Sequence, residues 1–499
     1  MKSDTAATKN DLTPRDKARA RAASLLQVDP SIIEDDLLDF LVADSGDALL
    51  RARAGSGKTT ALAIKVCYLT KDLGVDPETI VMLAFNNAAA RGIEARLVEF
   101  GAPPGVRVRT FHALGQRIVR AHFGASRRAV FDENSEDGRL ITELLDEAID
   151  ETISEPYYFF CASKMRTNYE KRKEYVESIG RDALVSAVGF LRARGYGLQN
   201  RFKNAWDLGP IAGNAMKVVL AFESKLREAC LLDATGVLQA ASWTLEREIE
   251  TGRQRPSEAH NVDWIFIDEF QDVSLPYMRL VTAIRNLNGM VNVQGVGDDF
   301  QAINGFAGAD LTYFNDVEDH LDTPEQYDLL KNRRSGSKIV EWGNGVMADA
   351  GYSEAPAIAH PTNGSGEIIR SRISATKDLR LASQKMADLV DLSTKDVALI
   401  ARKWKVGDHK LRQIRNLVEA HLRDKGYKGQ VTGITAHGSK GLEYDQVLLL
   451  DDGSFPMEHP SRPILAALIP ELEYLREEAC LKHVAGTRAR QRLDLVDAK

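Results

Sequence analysis

Cysteine is scarce in this chain. Cys67, Cys161, Cys230 and Cys480 are the only four in 499 residues, and no CxxC pair or Cys/His cluster joins them. Such spacing excludes a zinc finger, an iron–sulfur cluster and a disulfide framework, and it fits a reducing cytoplasm. No apolar run approaches the roughly 20 residues that cross a bilayer, and no secretory leader pattern follows Met1, so no membrane association is expected. An excess of basic residues is also lacking. With 65 Lys and Arg against 72 Asp and Glu, the formal charge is −7. A nucleic-acid site must therefore be a local groove and not a general basic coat. Internal repeats and low-complexity tracts are missing as well. What remains is an ordinary globular composition, 44% hydrophobic and 27% charged, in a chain long enough for roughly three domains.

Residues 1–24 are polar and then basic, with Lys9, Arg15, Lys17, Arg19 and Arg21. The plain reading is a frayed terminus leading into a helix; the functional alternative is an arm that faces nucleic acid. Short apolar runs then alternate with helical patterns. Strands are predicted at Ala48–Leu50, Ile80–Phe85, Trp264–Ile267, Val291–Val296, Val397–Ala401, Gln446–Leu450 and Leu493–Val496. Continuous apolar strands separated by helices indicate parallel α/β sheets. Residues 125–255 break the rhythm and read almost entirely as helix. Helices are also expected around 336–349, 376–393 and 408–425, and a surface loop at 361–366.

The first chemical signal is Arg53-Ala54-Gly55-Ser56-Gly57-Lys58-Thr59. It follows a predicted strand and opens a predicted helix, the context a phosphate-binding loop requires. Glycines let backbone N–H groups close around phosphates, and the helix N-terminus adds partial positive charge. Lys58 is placed to reach the β- and γ-phosphates, and the Thr59 hydroxyl to ligate Mg²⁺. The second signal lies about 210 residues on, where the buried run Trp264–Ile267 ends in Asp268-Glu269. Paired carboxylates at a strand's C-terminal end sit at the ligand edge of a parallel sheet. Asp268 is then the candidate for holding Mg²⁺, and Glu269 for orienting and deprotonating an attacking water. A solvated turn is the ordinary reading of Asp-Glu, but four preceding apolar residues and a partner loop at Lys58 argue against it.

With Asp268-Glu269-Phe270-Gln271-Asp272 the chain resembles the UvrD/Rep/PcrA branch of superfamily 1 helicases. Further motifs follow in that family's order: Leu83–Ala90, Arg109–Leu114 (similar to a TFH motif), Gly297–Gln301, Asn332–Ser335, Thr435–Glu443 and Val484–Arg490. The resemblance spans residues 51–490. It implies two RecA-like parallel-sheet domains and an enzyme that uses ATP and Mg²⁺ to move on single-stranded DNA. Polarity would be 3′→5′, with duplex unwinding at single-strand/double-strand junctions. The expected layout is an extension at 1–24, a first motor domain at 25–124 and 256–318, a helical insertion at 125–255, and a second motor domain at 319–499.

Carried over by position, Ala54, Gly55, Ser56, Gly57, Lys58, Thr59 and Thr60 would hold nucleotide, with Arg333 near the base and Glu443 on the ribose. Gln301 would couple the γ-phosphate to the DNA site, while Arg334 and Arg488 would reach that phosphate from the second domain. Phe85 and Phe306 resemble base-stacking residues, and Asn86 lies in the same DNA-gripping motif as Phe85. Thr110, His112 and His437 resemble backbone contacts. The cluster Lys164, Arg166, Lys171, Arg172 and Lys173 reads as a solvated helix face, with a DNA contact as the alternative.

The departures matter too. Asp36 stands where the family has an adenine-reading glutamine, and Arg333 replaces a stacking tyrosine, so base preference is open. Thr60 replaces an arginine, and Arg53 occupies a position that is usually small. Asn304 and Ala307 replace a Tyr and an Arg. Only about eight residues separate Gly426 from Thr435, where relatives carry the long 2B domain, so 2B is expected to be absent. The sequence ends soon after Arg488, and no fused nuclease domain is expected. These features motivate a second reading: a nucleotide-switched DNA-binding subunit that works with a nuclease or other protein partner and unwinds weakly alone.

Overall fold

The computed structural model describes residues 13–43, 46–124, 126–195, 209–352, 355–373, 378–407, 409–457 and 459–498. Lys9 lies outside them. Two all-parallel sheets organise the chain. The first has six strands: β1 (Ala48–Ala52), β2 (Ile80–Ala84), β3 (Arg107–Thr110), β4 (Trp264–Ile267), β5 (Asn292–Gly297) and β6 (Glu325–Leu329), in the order β3-β2-β4-β5-β1-β6. The second has five: β7 (Glu367–Arg372), β8 (Asp396–Ala401), β9 (Gln430–Thr435), β10 (Tyr444–Asp451) and β11 (Ala489–Asp497), in the order β7-β11-β10-β8-β9. This is the predicted mixed α/β class with two RecA-like sheets.

Alternation along each strand explains why both faces are covered. Leu50, Met82 and Phe266 pack with Leu38, Phe40 and Leu62 on one side of the first sheet. Leu49, Leu83, Ile265 and Ile267 pack on the other side with Phe111, Leu114 and Leu280. A strand buried on both faces reads as a continuous apolar run because every side chain, up or down, meets a helix. The second sheet repeats the device. Val397, Leu399 and Leu448 face the helices Leu379–Leu389 and Leu411–Asp424, and Ala398, Ile400 and Leu449 face Ser337–Asp349 and Glu471–Gly486.

Some stretches lie in a different lobe from the one the sequence suggests. β6 pairs with β1, so residues 325–329, read as part of the second domain, complete the first sheet. The helix Ala234–Thr251 contributes Leu238, Ala241 and Leu245 to the first sheet's core, although it falls inside the stretch read as the insertion. The insertion's own core is built from the helices Glu136–Thr152, Glu155–Lys164, Lys173–Ala193 and Pro210–Glu228. Ile464 and Leu468, from the second lobe, are buried in that same core. Between Asp424 and Gln430 only residues 425–429 intervene, so no domain is inserted there.

The N-terminal helix Pro14–Leu26 is capped by Thr13 and lies against the first lobe. Arg15 pairs with Asp35 and Asp39, Arg19 with Asp35, and Arg21 with Asp72. These basic residues therefore face the protein's own carboxylates. Among the described residues no helix is long and apolar enough to cross a membrane.

Candidate active site

β1 ends at Ala52, and the chain turns through Gly55 (φ 72°) and Gly57 (φ 95°) into the helix Lys58–Lys71. Both glycines occupy the left-handed region that a side chain disfavours. Gly55 has a second reason: a Cβ there would stand 2.7 Å from Arg334 Cβ and 3.0 Å from Asn332 Oδ1. The loop is thus pressed against the Asn332–Arg334 turn of the second lobe, and Arg333 N donates to Gly55 O at 2.9 Å. Lys58 Nζ donates to Ala52 O at 3.4 Å and lies 4.0 Å from Asp298 Oδ2. Thr59 Oγ1 donates to Asp268 Oδ2 at 3.1 Å, so the two Mg²⁺ candidates meet across β1 and β4. The Ser56 hydroxyl is buried without a partner inside the loop. Thr60 follows on the helix, half-buried.

Glu269 sits in the left-handed region at φ 54°, a backbone cost that persists where surrounding structure imposes it. Its Oε2 accepts from Gln271 Nε2 at 2.5 Å, and Gln271 Oε1 accepts from Asp298 N at 2.9 Å. Burial and the adjoining Glu269 charge raise the Asp268 pKa. Burial also opposes the charge of Glu269, but Lys440 and then Lys58 outweigh it and hold its pKa low. Of the two carboxyls, Glu269 is therefore the stronger acid and loses its proton first as pH rises.

Lys440 lies in the Thr435–Glu443 motif, on the turn that follows β9. Its Nζ lies 2.5 Å from Asp272 Oδ2 and 3.6 Å from Glu269 Oε2, and it donates to Gln301 O at 3.2 Å. It joins β9's trailing turn to both carboxylates, an interlobe contact between residues about 170 apart in sequence.

Gln301 Nε2 donates to Asp298 Oδ2 at 2.5 Å, and its Oε1 accepts from Arg488 Nη2 at 3.4 Å. Arg488 is 1% exposed. Its other donors go to Val484 O and Leu442 O, and among the described residues no carboxylate lies within 4 Å of it. Burial and the like charge of Arg334 press its pKa down. Arg334 Nε donates to Glu443 Oε2 at 2.8 Å, while its Nη1 is buried without a partner. Glu443 is also bound by Arg490 at 2.6 Å. Arg333 turns to Glu34 at 2.5 Å, just ahead of Asp36. Glu443 and Arg333 thus both have protein partners.

The remaining candidates fall into two groups. Phe85 is half-buried against Phe111 and Tyr277, with ring centroids 5.4 and 5.1 Å away. Asn86 and Thr110 cap the helices that follow β2 and β3, accepting from Ala89 N and Ala113 N. His112 stands 5.8 Å from both Tyr277 and Phe131, and burial lowers its pKa. In the other group, Phe306 is 57% exposed and meets His437 edge-on at 5.5 Å. Both groups follow strand C-termini or the loop after β5. The basic residues 164, 166 and 171–173 are exposed on the insertion.

Residues 36–322 match the family model for the UvrD/REP helicase N-terminal domain. The chain belongs to this family. The model for the UvrD-like helicase C-terminal domain matches residues 262–499. DNA helicase IV of Escherichia coli (strain K12) is 26% identical, over 94% of this chain and 68% of that protein. A probable DNA helicase of Mycoplasma pneumoniae is 23% identical, over 91% of this chain and 81% of that protein. The ATP-dependent DNA helicase PcrA of Staphylococcus epidermidis is 25% identical, over 60% of this chain but only 38% of its own length. This UvrD-like helicase therefore spans most of the first two relatives and well under half of the third.

Proposed function

We propose that this UvrD-like helicase is a DNA-dependent ATPase that translocates 3′→5′ on single-stranded DNA and opens duplexes at junctions. The observation that carries the reading is a pair of incompletely satisfied guanidinium groups in the second lobe, Arg334 beside the loop at Gly55 and Arg488 on Gln301. Among the described residues no carboxylate lies within 4 Å of buried Arg488, and Arg334, held by Glu443 through Nε, buries an Nη1 without a partner. A buried cation of this kind favours an incoming anion, and the γ-phosphate of ATP held by residues 54–60 is one of the right chemistry.

The donor set also fits Mg²⁺. Among the described residues no three His, Cys, Asp or Glu side chains gather as a metal cage, whereas Mg²⁺ prefers one or two protein oxygens beside water and phosphate. Thr59 and Asp268 would hold it, and when bound it supplies charge neutralisation at the β- and γ-phosphate oxygens. Lys58 and the loop N–H groups bind the phosphates, and Glu269 accepts a proton from the attacking water. Gln271, Asp298 and Gln301 connect that base to Arg488, so occupancy of the loop is felt at the lobe boundary. Phe306 and His437, on the two sides of that boundary, offer a base and a backbone contact that shift when the lobes move.

Steady-state ATP hydrolysis with and without single-stranded DNA tests this, together with strand displacement on 3′-tailed, 5′-tailed and blunt duplexes. DNA-stimulated hydrolysis and displacement confined to 3′ tails are expected. Hydrolysis indifferent to DNA would sink the motor reading, and activity confined to 5′ tails would reverse the polarity. The five-residue link at 425–429 favours one variant of the reading: an ATPase subunit that displaces strands well only beside a nuclease or other partner.

A further inference from the structure

Arg53 is an arginine at a loop position that is usually small, and the mechanism above gives it no task. It is 1% exposed. Its Nη1 donates to Asp298 Oδ1 at 2.8 Å and to Asp299 Oδ1 at 2.6 Å, and its Nε donates to the carbonyl of Ala355, in the second lobe, at 2.6 Å. The guanidinium lies over the Phe300 ring with Cζ 3.5 Å from the centroid. One side chain therefore fastens the end of β1, the 298–301 turn and the second lobe together. Phe300 is itself packed in the second sheet's core with Ile339, Leu481 and Val484.

Asp298 is fully buried. Its Oδ1 accepts from Arg53 and from Phe300 N, and its Oδ2 accepts from Gln301 and faces Lys58 Nζ at 4.0 Å. Burial opposes the charge on Asp298, but Arg53 first and Lys58 second hold its pKa at about 2. A buried carboxylate recruits the nearest cation. Without Arg53 that cation is Lys58, drawn off the phosphate-binding loop.

We infer that Arg53 is a positioning residue of the nucleotide site: it satisfies Asp298 and Asp299 so that Lys58 remains available to phosphate, and it fixes the turn that presents Gln301 to Arg488. The inference rests on the ATPase reading above. It deepens that reading by giving the loop its own internal counter-ion, one that ordinary phosphate loops with a small residue here do without.

The test uses the full chain and two substitutions, Arg53→Gln and Arg53→Lys. It has two readouts: the KM for ATP at saturating single-stranded DNA, and the Kd of a fluorescent non-hydrolysable ATP analogue without DNA. Arg53→Gln should raise both about tenfold or more, the scale of one charge-assisted hydrogen bond. Arg53→Lys keeps the charge and should return both to within about threefold of the parent, with DNA stimulation of kcat still reduced because the Ala355 and Phe300 contacts are lost. A merely structural Arg53 would lower the active fraction, so kcat would fall while KM and Kd stayed at parent values; that result overturns the inference. So does Arg53→Lys binding as poorly as Arg53→Gln. Should Arg53→Gln fail to fold, the double variant with Asp299→Asn leaves one unpaired carboxylate fewer and carries the same expectation. A parent chain without DNA-stimulated hydrolysis would sink the ATPase reading, whereas the analogue Kd, measured without DNA or turnover, still decides the role of Arg53.

Discussion

Arg488 reaches Gln301 across the lobe boundary, its Nη2 donating to Gln301 Oε1 at 3.4 Å while Gln301 Nε2 holds Asp298 at 2.5 Å. The contact is long and neutral on one side, so it positions the guanidinium without quenching it. An arginine that must stabilise charge developing on a phosphoryl group needs this arrangement: held by carbonyls and an amide, with no carboxylate to compete. Arg488→Ala should cut DNA-stimulated kcat by roughly 10³-fold, with a much smaller change in KM. Steady-state kinetics check it. A KM effect alone would mean that Arg488 binds ground-state nucleotide and does not act on the reacting phosphate.

Lys440 carries a separate load. It is 15% exposed and bridges Asp272, 5% exposed, to Glu269. Burial and the Glu269 charge raise the Asp272 pKa, while Lys440 pulls it down. Lys440→Met leaves the carboxylates of buried Asp272 and half-buried Glu269 without their shared cation, so about 3 kcal/mol of stability should be lost, read by urea unfolding. Adding Asp272→Asn removes one of those charges and should return more than half of the loss. A double variant no more stable than Lys440→Met would show that the lysine acts through packing.

The seven interior strands of the two sheets were all legible in the sequence. The four that were not, Arg107–Thr110, Glu325–Leu329, Glu367–Arg372 and Gln430–Thr435, are the four sheet edges. An edge strand is half solvated, and charge along it also discourages pairing with another chain. Glu325-Gln326-Tyr327-Asp328-Leu329 therefore carries no apolar signature. Within the site, Lys58, Thr59, Asp268 and Glu269 could be placed because each follows a readable strand. The Arg53–Asp298 and Lys440–Asp272 pairs could not, because each joins residues some 170 to 245 positions apart. Arg53 left a trace as an outsize residue in a small-residue loop; Lys440 left none beyond its motif.

Two phenylalanines proposed for base stacking stand in opposite environments, and this separates their variants. Phe306 is 57% exposed, so Phe306→Ala should leave thermal stability within about 0.5 kcal/mol. Its affinity for single-stranded DNA should fall by the equivalent of about 1–3 kcal/mol. Phe85 is half-buried among Phe111 and Tyr277. Phe85→Ala removes part of an aromatic core, so it should cost about 2 kcal/mol or more in stability in addition to any loss of DNA affinity. Fluorescence anisotropy with a labelled oligonucleotide, alongside urea titration, tells the two apart. Unchanged anisotropy for Phe306→Ala would remove it from the DNA path.

Glu477 holds the loop that carries Phe306, its Oε1 accepting from Phe306 N at 3.3 Å. Burial, with Glu478 and Glu473 adding like charge, raises its pKa from the ordinary 4.5 to about 7, against the pull of the Phe306 and Gly305 N–H groups. The folded state therefore binds this proton more tightly than the unfolded chain does. Between about pH 4.5 and 7 the folded form holds more protons, so this group's contribution to stability falls as pH rises through that window and levels off above it. Glu477→Gln keeps an acceptor for Phe306 N and cannot ionise. It should raise the melting temperature at pH 8, change it little at pH 5, and flatten the slope between them. Melting curves at half-unit pH steps for parent and variant give the answer. Parallel slopes for the two proteins would mean that Glu477 titrates in the ordinary carboxylate range and that the Phe306 loop is not tied to a protonated carboxyl.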